Sequence, residues 1–286
     1  MLATIEQIIV NGLLSGLVYV IMALGFTLIF GIMRVVNFAH GELYMIGGFL
    51  VLVFYSLLGL NYFVALGLAA IVTAALGAII ERLLLRPLVG RELSGMIMSL
   101  AIAIALQSAA LIVFGPAEQS IERPISGVWR LGEAVIPKDR ALVAGCSLAI
   151  LALFYAFLKY SRTGLAMQAV AQDPEAASLM GVRPGFIHSS AFAIASGLAA
   201  LAGGLMAPIY TVGPYIGDLP MLKAFVVVIL GGLGSVPGAV VGGLLIGVIE
   251  SVAATFGNST LALIATFVVV LAIVLVRPRG LMGKAA

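Results

Sequence analysis

Long apolar runs, separated by short polar stretches, recur along the whole chain. A hydrocarbon core of about 30 Å takes about 20 apolar residues of helix to cross. On that measure the pattern predicts spans at 8–24, 42–60, 62–81, 93–114, 141–158, 189–207, 236–255 and 260–276. Two further apolar pieces, 25–34 (GFTLIFGIMR) and 223–234 (KAFVVVILGGLG), are too short to cross alone. Each precedes a Gly-rich polar break and then a full span, the pattern of half-helices that end inside a protein. Backbone freed at such breaks survives at membrane depth only when buried in protein or lining a wet cavity. The predicted fold is therefore all-α and polytopic, with about eight transmembrane helices plus two re-entrant half-helices, in a single transmembrane domain over 1–286.

The first break, NFAHGELYMIGGF, places Asn37, His40 and Glu42 within six residues between two apolar runs. Polar groups at membrane depth are costly and call for a partner, a cavity or a function. Asn37, His40, Gly41 and Glu42 are candidates for the translocation path. Stitching the break together is the plainer role. Gly41 permits a tight turn, Glu42 suits the first turn of the next span, and Arg34 is a candidate ion-pair partner for Glu42. The second break, LGGLGSVPGAVVGG, contributes Gly231, Gly232, Gly234 and Ser235 as further path candidates. Glu250, in an apolar span, is expected at a helix–helix or subunit contact, and Lys223 is expected to snorkel to the outer interface.

Composition supports the membrane reading. The chain is 63% hydrophobic and 9% charged, far from the balance of a soluble domain. The net charge of +3 does not point to nucleic acid, because the basic residues gather where topology needs them. Arg82, Arg86 and Arg91 lie in one loop, Lys159, Arg162 and Arg183 in another, and Arg277, Arg279 and Lys284 in the tail. The positive-inside rule puts all three in the cytoplasm. The loop at 115–140, where Glu118, Glu122, Glu133 and Asp139 balance the bases, faces outside. With eight full spans, both termini are expected in the cytoplasm. The first residues, MLATIE, carry no basic cluster, so the first run is read as a retained span. The one cysteine, Cys146, reads as a small buried hydrophobe. His40 and His188 are the two histidines, and no nucleophile or metal constellation is recognisable: no catalytic residue and no metal site is expected. The 34 glycines suit close helix packing in lipid, within the chain or against a partner subunit.

A weak internal repeat accompanies the breaks. A span, a half-helix, a Gly-rich break and two spans end in LRPLVG (85–90), and the same order ends in VRPRGL (276–281). Both units run in the same direction, as in a parallel repeat with the substrate route at the repeat interface.

The cytoplasmic loop, 159–188, contains DPEAASLMG. Asp173 is an N-cap residue, Pro174 fits the first helical position and Glu175 complements the dipole. Gly181 ends the helix in an αL cap. A helix over Pro174 to Met180 follows, with Ala176, Leu179 and Met180 on one face. So short a helix is marginal alone, so it packs on its own bundle or in a partner's groove.

EAASLMG resembles the E-A-A-x-x-x-G coupling motif of permeases of ATP-binding-cassette (ABC) transporters. End to end, the chain resembles the LivH-type permease subunits of branched-chain amino-acid uptake systems, through NFAHGELYMIGG (37–48), LAMQAVAQDPEAASLMGV (165–182), PYIGDLPMLKAF (214–225) and VILGGLGSVPGAVVGG (228–243). The resemblance implies a bacterial inner-membrane protein and three kinds of partner: two ABC ATPases, a second homologous permease and a periplasmic solute-binding protein. Membrane lipid is its surroundings. It implies an ATPase-coupling role for Asp173, Pro174, Glu175, Ala176, Ala177, Leu179 and Gly181. Tyr215 and Asp218, on the outer face, are candidates for docking the binding protein, and the loop at 115–140 becomes periplasmic. The sequence has no G-x-x-x-x-G-K-[ST] phosphate loop, so no cofactor is expected on this chain and ATP is used by the partners. Two alternatives stand beside this reading: an ion-coupled secondary transporter using His40, Glu42 and Glu250, and an ABC permease for urea or short amides.

Overall fold

The structure, a computed structural model, describes residues 2–131, 134–278 and 280–283. Glu133, Arg279 and Lys284 of the charge pattern lie outside the described residues. Eleven helices and one hairpin make up the described chain: α1 (Leu2–Met33), α2 (His40–Val51), α3 (Tyr62–Ile80), α4 (Glu92–Phe114), β1 (Val128–Leu131), β2 (Ala134–Pro137), α5 (Lys138–Tyr160), α6 (Arg162–Gln172), α7 (Pro174–Leu179), α8 (Pro184–Met206), α9 (Asp218–Gly231), α10 (Val236–Phe256) and α11 (Ser259–Val276). A π turn (Leu52–Leu57) extends α2. A π turn (Glu81–Leu85) and a 3₁₀ turn (Arg86–Leu88) extend α3. Among the described residues eight helices are long and apolar enough to span a membrane, and each overlaps one of the eight expected runs.

Residues 25–33 form the last turns of α1, continuous with the first span. At 1.5 Å per residue, its 32 residues measure about 48 Å, longer than the hydrocarbon core. Residues 223–231 of the second piece fall in α9, a 14-residue helix of about 21 Å.

Helix α8 is the central column, buried along most of its length and packed on α1, α2 and α3. Helices α1 and α10 run antiparallel along a glycine seam. A Cβ on Gly12 would lie 2.7 Å from Val248 Cα, and one on Gly247 2.6 Å from Gly16 Cα. Such seams let backbones meet in lipid, where apolar burial supplies no drive. The GAVVGGLLIGV segment is thus used, at these positions, within the chain.

The two ends of the bundle can be told apart. At one end, Gln119 pairs with Val212 and the Thr211 hydroxyl donates to Glu118 at 2.5 Å. The β1–β2 hairpin lies there too, and Gln7 of α1 exchanges two hydrogen bonds with Val135, at 3.1 and 2.9 Å. At the other end lie Arg86, α6, α7 and the start of α8. Gly31, near the end of α1, faces Gly234 there, and the amides of Leu281 and Met282 cap α9 by donating to Leu230 and Gly231 at 2.8 and 2.9 Å. The expectation of both termini on one side does not hold: the first residues of α1 lie at the hairpin end and residues 280–283 at the opposite end. The reason is that α9, short as it is, carries the chain from the hairpin end to the other end, so the chain makes an odd number of passages.

Candidate functional site

The chain from Arg34 to Ala39 leaves α1 and turns back into the bundle. Arg34 takes a left-handed conformation (φ 54°) that ends α1, an uncommon conformation for a residue with a Cβ, and it is solvent-exposed. Among the described residues Arg34 makes no ion pair with Glu42, contrary to expectation, because its backbone turn directs it out of the bundle while Glu42 is buried.

Asn37 accepts from the amide of Ala39 through Oδ1 at 3.2 Å. His40 is wholly buried and bonds the carbonyl of Met22 through Nε2 at 3.1 Å. A carbonyl only accepts, so that nitrogen carries a proton, and in the neutral ring Nδ1 is left as an acceptor. Gly25 makes the space: a Cβ there would lie 2.8 Å from the ring. Gly41 meets the loop before α9, where a Cβ would lie 2.7 Å from the Gly217 carbonyl. Asn37 Nδ2, His40 Nδ1 and Glu42 Oε2 have no hydrogen-bond partner among the described residues. The break is thus embedded between α1, α8 and the start of α9.

The second break lies at the α7 end. Gly232 (φ 105°) and Gly234 (φ 80°) take conformations open to glycine. The Ser235 hydroxyl caps α10 by accepting from the Gly238 amide at 3.1 Å. Gly231 is buried against Gly238.

A cavity of about 450 Å³ opens between α1, α2, the ends of α4 and α8, and α9, on the hairpin side. Tyr19, Tyr44, Tyr210 and Tyr215 line it, with Glu118 and Lys223 as its charged groups. Asn37, His40 and Glu42 do not line it, though Tyr44, half a turn beyond Glu42, does. Lys223 does not snorkel to the interface as expected. Its Nζ meets Glu250 Oε1 at 2.5 Å and the Tyr19 hydroxyl at 2.7 Å, and that hydroxyl donates to Glu250 Oε2 at 2.6 Å. An ion pair within reach stabilises the ammonium better than extension along lipid. Glu250 is a helix–helix contact, joining α10 to α1 and α9.

At the other end, α6 and α7 form an outlying unit. The Ser161 hydroxyl caps α6 by accepting from Gly164 N at 2.9 Å, and Met167 and Val170 are buried beneath it. Asp173 Oδ1 caps α7, accepting from the amides of Glu175 and Ala176 at 2.9 Å each. Gly181 (φ 85°) closes α7, with the Val182 amide donating to Ala177 O at 3.1 Å. Ala177 packs inward, and Pro174, Glu175 and Ala176 are exposed. Leu179 is 89% and Met180 86% exposed. Helix α6 was not anticipated as an element; its signal was Ser161 before an amphipathic run. The triad of Tyr19, Lys223 and Glu250 was also missed, and no local signal pointed to it.

Among the described residues no group of His, Cys, Asp and Glu could hold a metal ion. Comparison with known proteins agrees with the architecture. The chain is 33% identical over 290 residues to the high-affinity branched-chain amino acid transport system permease protein LivH of Salmonella typhimurium, covering 96% of this chain and 94% of that one. It is 36% identical over 294 residues to BraD of Pseudomonas aeruginosa, a permease protein of the same description, covering 97% and 95%. Among solved structures, PsaBC from Streptococcus pneumoniae in complex with Fab matches with a TM-score of 0.52 at 17% identity, covering 94% of this chain and 91% of that one, which shows likeness of fold alone. The model of the family described as branched-chain amino acid transport system, permease component, matches residues 8–277. This multi-pass membrane protein, a transport subunit and not an enzyme, belongs to that family.

Proposed function

We propose that the chain is one permease subunit of an ABC importer in a bacterial inner membrane, moving branched-chain or related small amino acids. It would work with two ATPases, a second homologous permease and a periplasmic binding protein. The observation that carries this reading is α7. It is a helix of 6 residues capped at both ends by its own neighbours, yet it presents Leu179 and the C-cap residue Met180 almost fully exposed. A helix this short gains stability from packing, and two exposed apolar side chains beside an acidic first turn suit a groove on another subunit. Glu175 and Gly181 fix the geometry of that contact. The chain has no phosphate-binding loop of its own, so the work of ATP must arrive mechanically.

On this reading the α7 end, with its basic loops, faces the cytoplasm. The hairpin end, and with it the start of α1, faces the periplasm. Tyr215 and Asp218, both exposed at the periplasmic side, are then available to a binding protein. The cavity at that end receives the substrate. Asn37, His40, Gly41 and Glu42 back the cavity wall, and Gly231, Gly232, Gly234 and Ser235 form the inner turn through which the path closes.

Purification of the tagged protein from its host in mild detergent, with mass spectrometry of what stays bound, tests the assembly. Recovery of an ABC ATPase, lost on Glu175→Lys, is expected. A chain recovered alone in several detergents would favour an ion-coupled carrier built on His40 and Glu42.

A further inference from the structure

The walls of the hairpin-side cavity are chemically specific. Among the described residues that line it, Lys223 is the cation and Glu118 the anion, and the rest are aromatic, small or apolar. Glu118 sits at the rim, exposed, with Thr211 donating to one carboxylate oxygen. Lys223 sits deeper, held by Glu250 and by Tyr19, whose ring lies 4.8 Å from Nζ. An ammonium has three donors, and Glu250 and the Tyr19 hydroxyl take two. The Tyr19 hydroxyl spends its own proton on Glu250. One N–H of Lys223 therefore remains for a ligand. Met22, Met206, Ile216 and Leu219 supply apolar surface. At about 450 Å³ the space is within the range of small-molecule sites.

We propose that this cavity is a weak binding site for a zwitterionic aliphatic amino acid, with the carboxylate on Lys223, the ammonium on Glu118 and the side chain against the apolar wall. The proposal rests on the transport reading above and assigns the groups of that cavity to the parts of the substrate they meet. Glu250 already holds Lys223, so an incoming carboxylate competes for the ammonium. That competition keeps binding weak and release easy, as a conduction path requires. Such a site reads the two charges of an amino acid and reads its side chain only as apolar bulk. Urea and short amides carry neither charge and leave both groups unanswered, which argues against them as substrates.

Saturation-transfer NMR on the purified full-length chain in detergent tests this, with L-leucine, 4-methylpentanoate (no ammonium), 3-methylbutylamine (no carboxylate) and urea as probes. Leucine is expected to bind. The two half-ligands should bind roughly tenfold more weakly, the loss of one charge-assisted hydrogen bond, and urea not at all. Lys223→Met should weaken leucine by a similar factor, and Glu250→Gln, which frees Lys223, should strengthen it. A purely structural ion pair predicts loss in both. Because Lys223→Met leaves Glu250 unpaired, the neutral pair Lys223→Met/Glu250→Gln guards against misfolding, and it too should lose leucine. Leucine binding undiminished in that folded double variant, or equal binding of leucine and 4-methylpentanoate, would overturn the site. So would an absence of leucine binding while the intact importer still takes up leucine. Failure of the importer to take up any amino acid would instead remove the transport reading.

Discussion

The guanidinium of Arg86 donates to the Ser189 hydroxyl at 2.7 Å, and so ties the end of the α3 span to the second turn of α8. Ser189 donates in turn to Glu81, which is 0% exposed, and Arg86 Nε reaches the same carboxylate at 3.4 Å. Arg86 also donates to the Gly185 carbonyl. Helix α8 follows directly on α7, so this cluster lies where a push on α7 would enter the bundle. Glu81 opens a π turn, and such turns collect at functional sites.

Removing one partner of a buried pair leaves a buried charge alone. Arg86 is partly wetted, so Arg86→Ala is expected to cost on the order of 2–3 kcal/mol, discounted for solvent screening from the roughly 3–5 kcal/mol of a fully buried pair. Adding Glu81→Gln should recover most of it. Thermal unfolding followed by size-exclusion in detergent checks both; equal loss in the single and double variants would exclude the charge argument.

The proposed coupling contact gives a sharper separation of stability from function. Leu179→Asp/Met180→Asp alters two exposed side chains, and surface changes of this kind are usually within about 0.5 kcal/mol. The variant should insert and melt like wild type, yet lose the ATPase in the pull-down and lose uptake. Asp173→Ala, by contrast, removes two hydrogen bonds from the first turn and should weaken α7 by about 1 kcal/mol, giving partial uptake.

The passage count predicts sidedness. In a Cys146→Ser background, Ile5→Cys should react with a membrane-impermeant maleimide added outside intact spheroplasts. Leu179→Cys should react only after permeabilisation. Labelling of both from the same side would refute the arrangement of α1.

The α1–α10 seam predicts a steep response to one added side chain. Gly247→Val would drive three carbons into the backbone of Gly12 and Gly16, and overpacking typically costs about 1–3 kcal/mol. Gly67→Ala, with nothing within 4 Å, should be neutral or slightly stabilising. Paired melting curves decide it.

These residues also show what a sequence can carry. The eight spans were legible because lipid imposes an apolar length on each. Helix α7 was legible because Asp173, Pro174 and Gly181 act on their own neighbours. The continuity of α1 was not legible. Gly25 and Gly31 imitate a break, but they are small for other reasons: one clears the ring of His40 and the other faces Gly234. The side of the first residues depends on Gln7 meeting Val135, a pairing that no local pattern encodes. Lys223 and Glu250 sit on separate helices and Tyr19 on a third, so each looked like an isolated charge or ring. The path candidates Asn37, His40 and Glu42 were noticed for their polarity within an apolar run, and the structure buries all three in the break.

The measurement that bears most directly on the whole account is leucine uptake by proteoliposomes holding the purified importer. ATP is placed on the α7 side, binding protein on the hairpin side, and ionophores abolish every ion gradient. Uptake that persists with ATP, stops without it and is lost in Leu179→Asp/Met180→Asp is the predicted result. Uptake that needs an ion gradient and ignores ATP would contradict it.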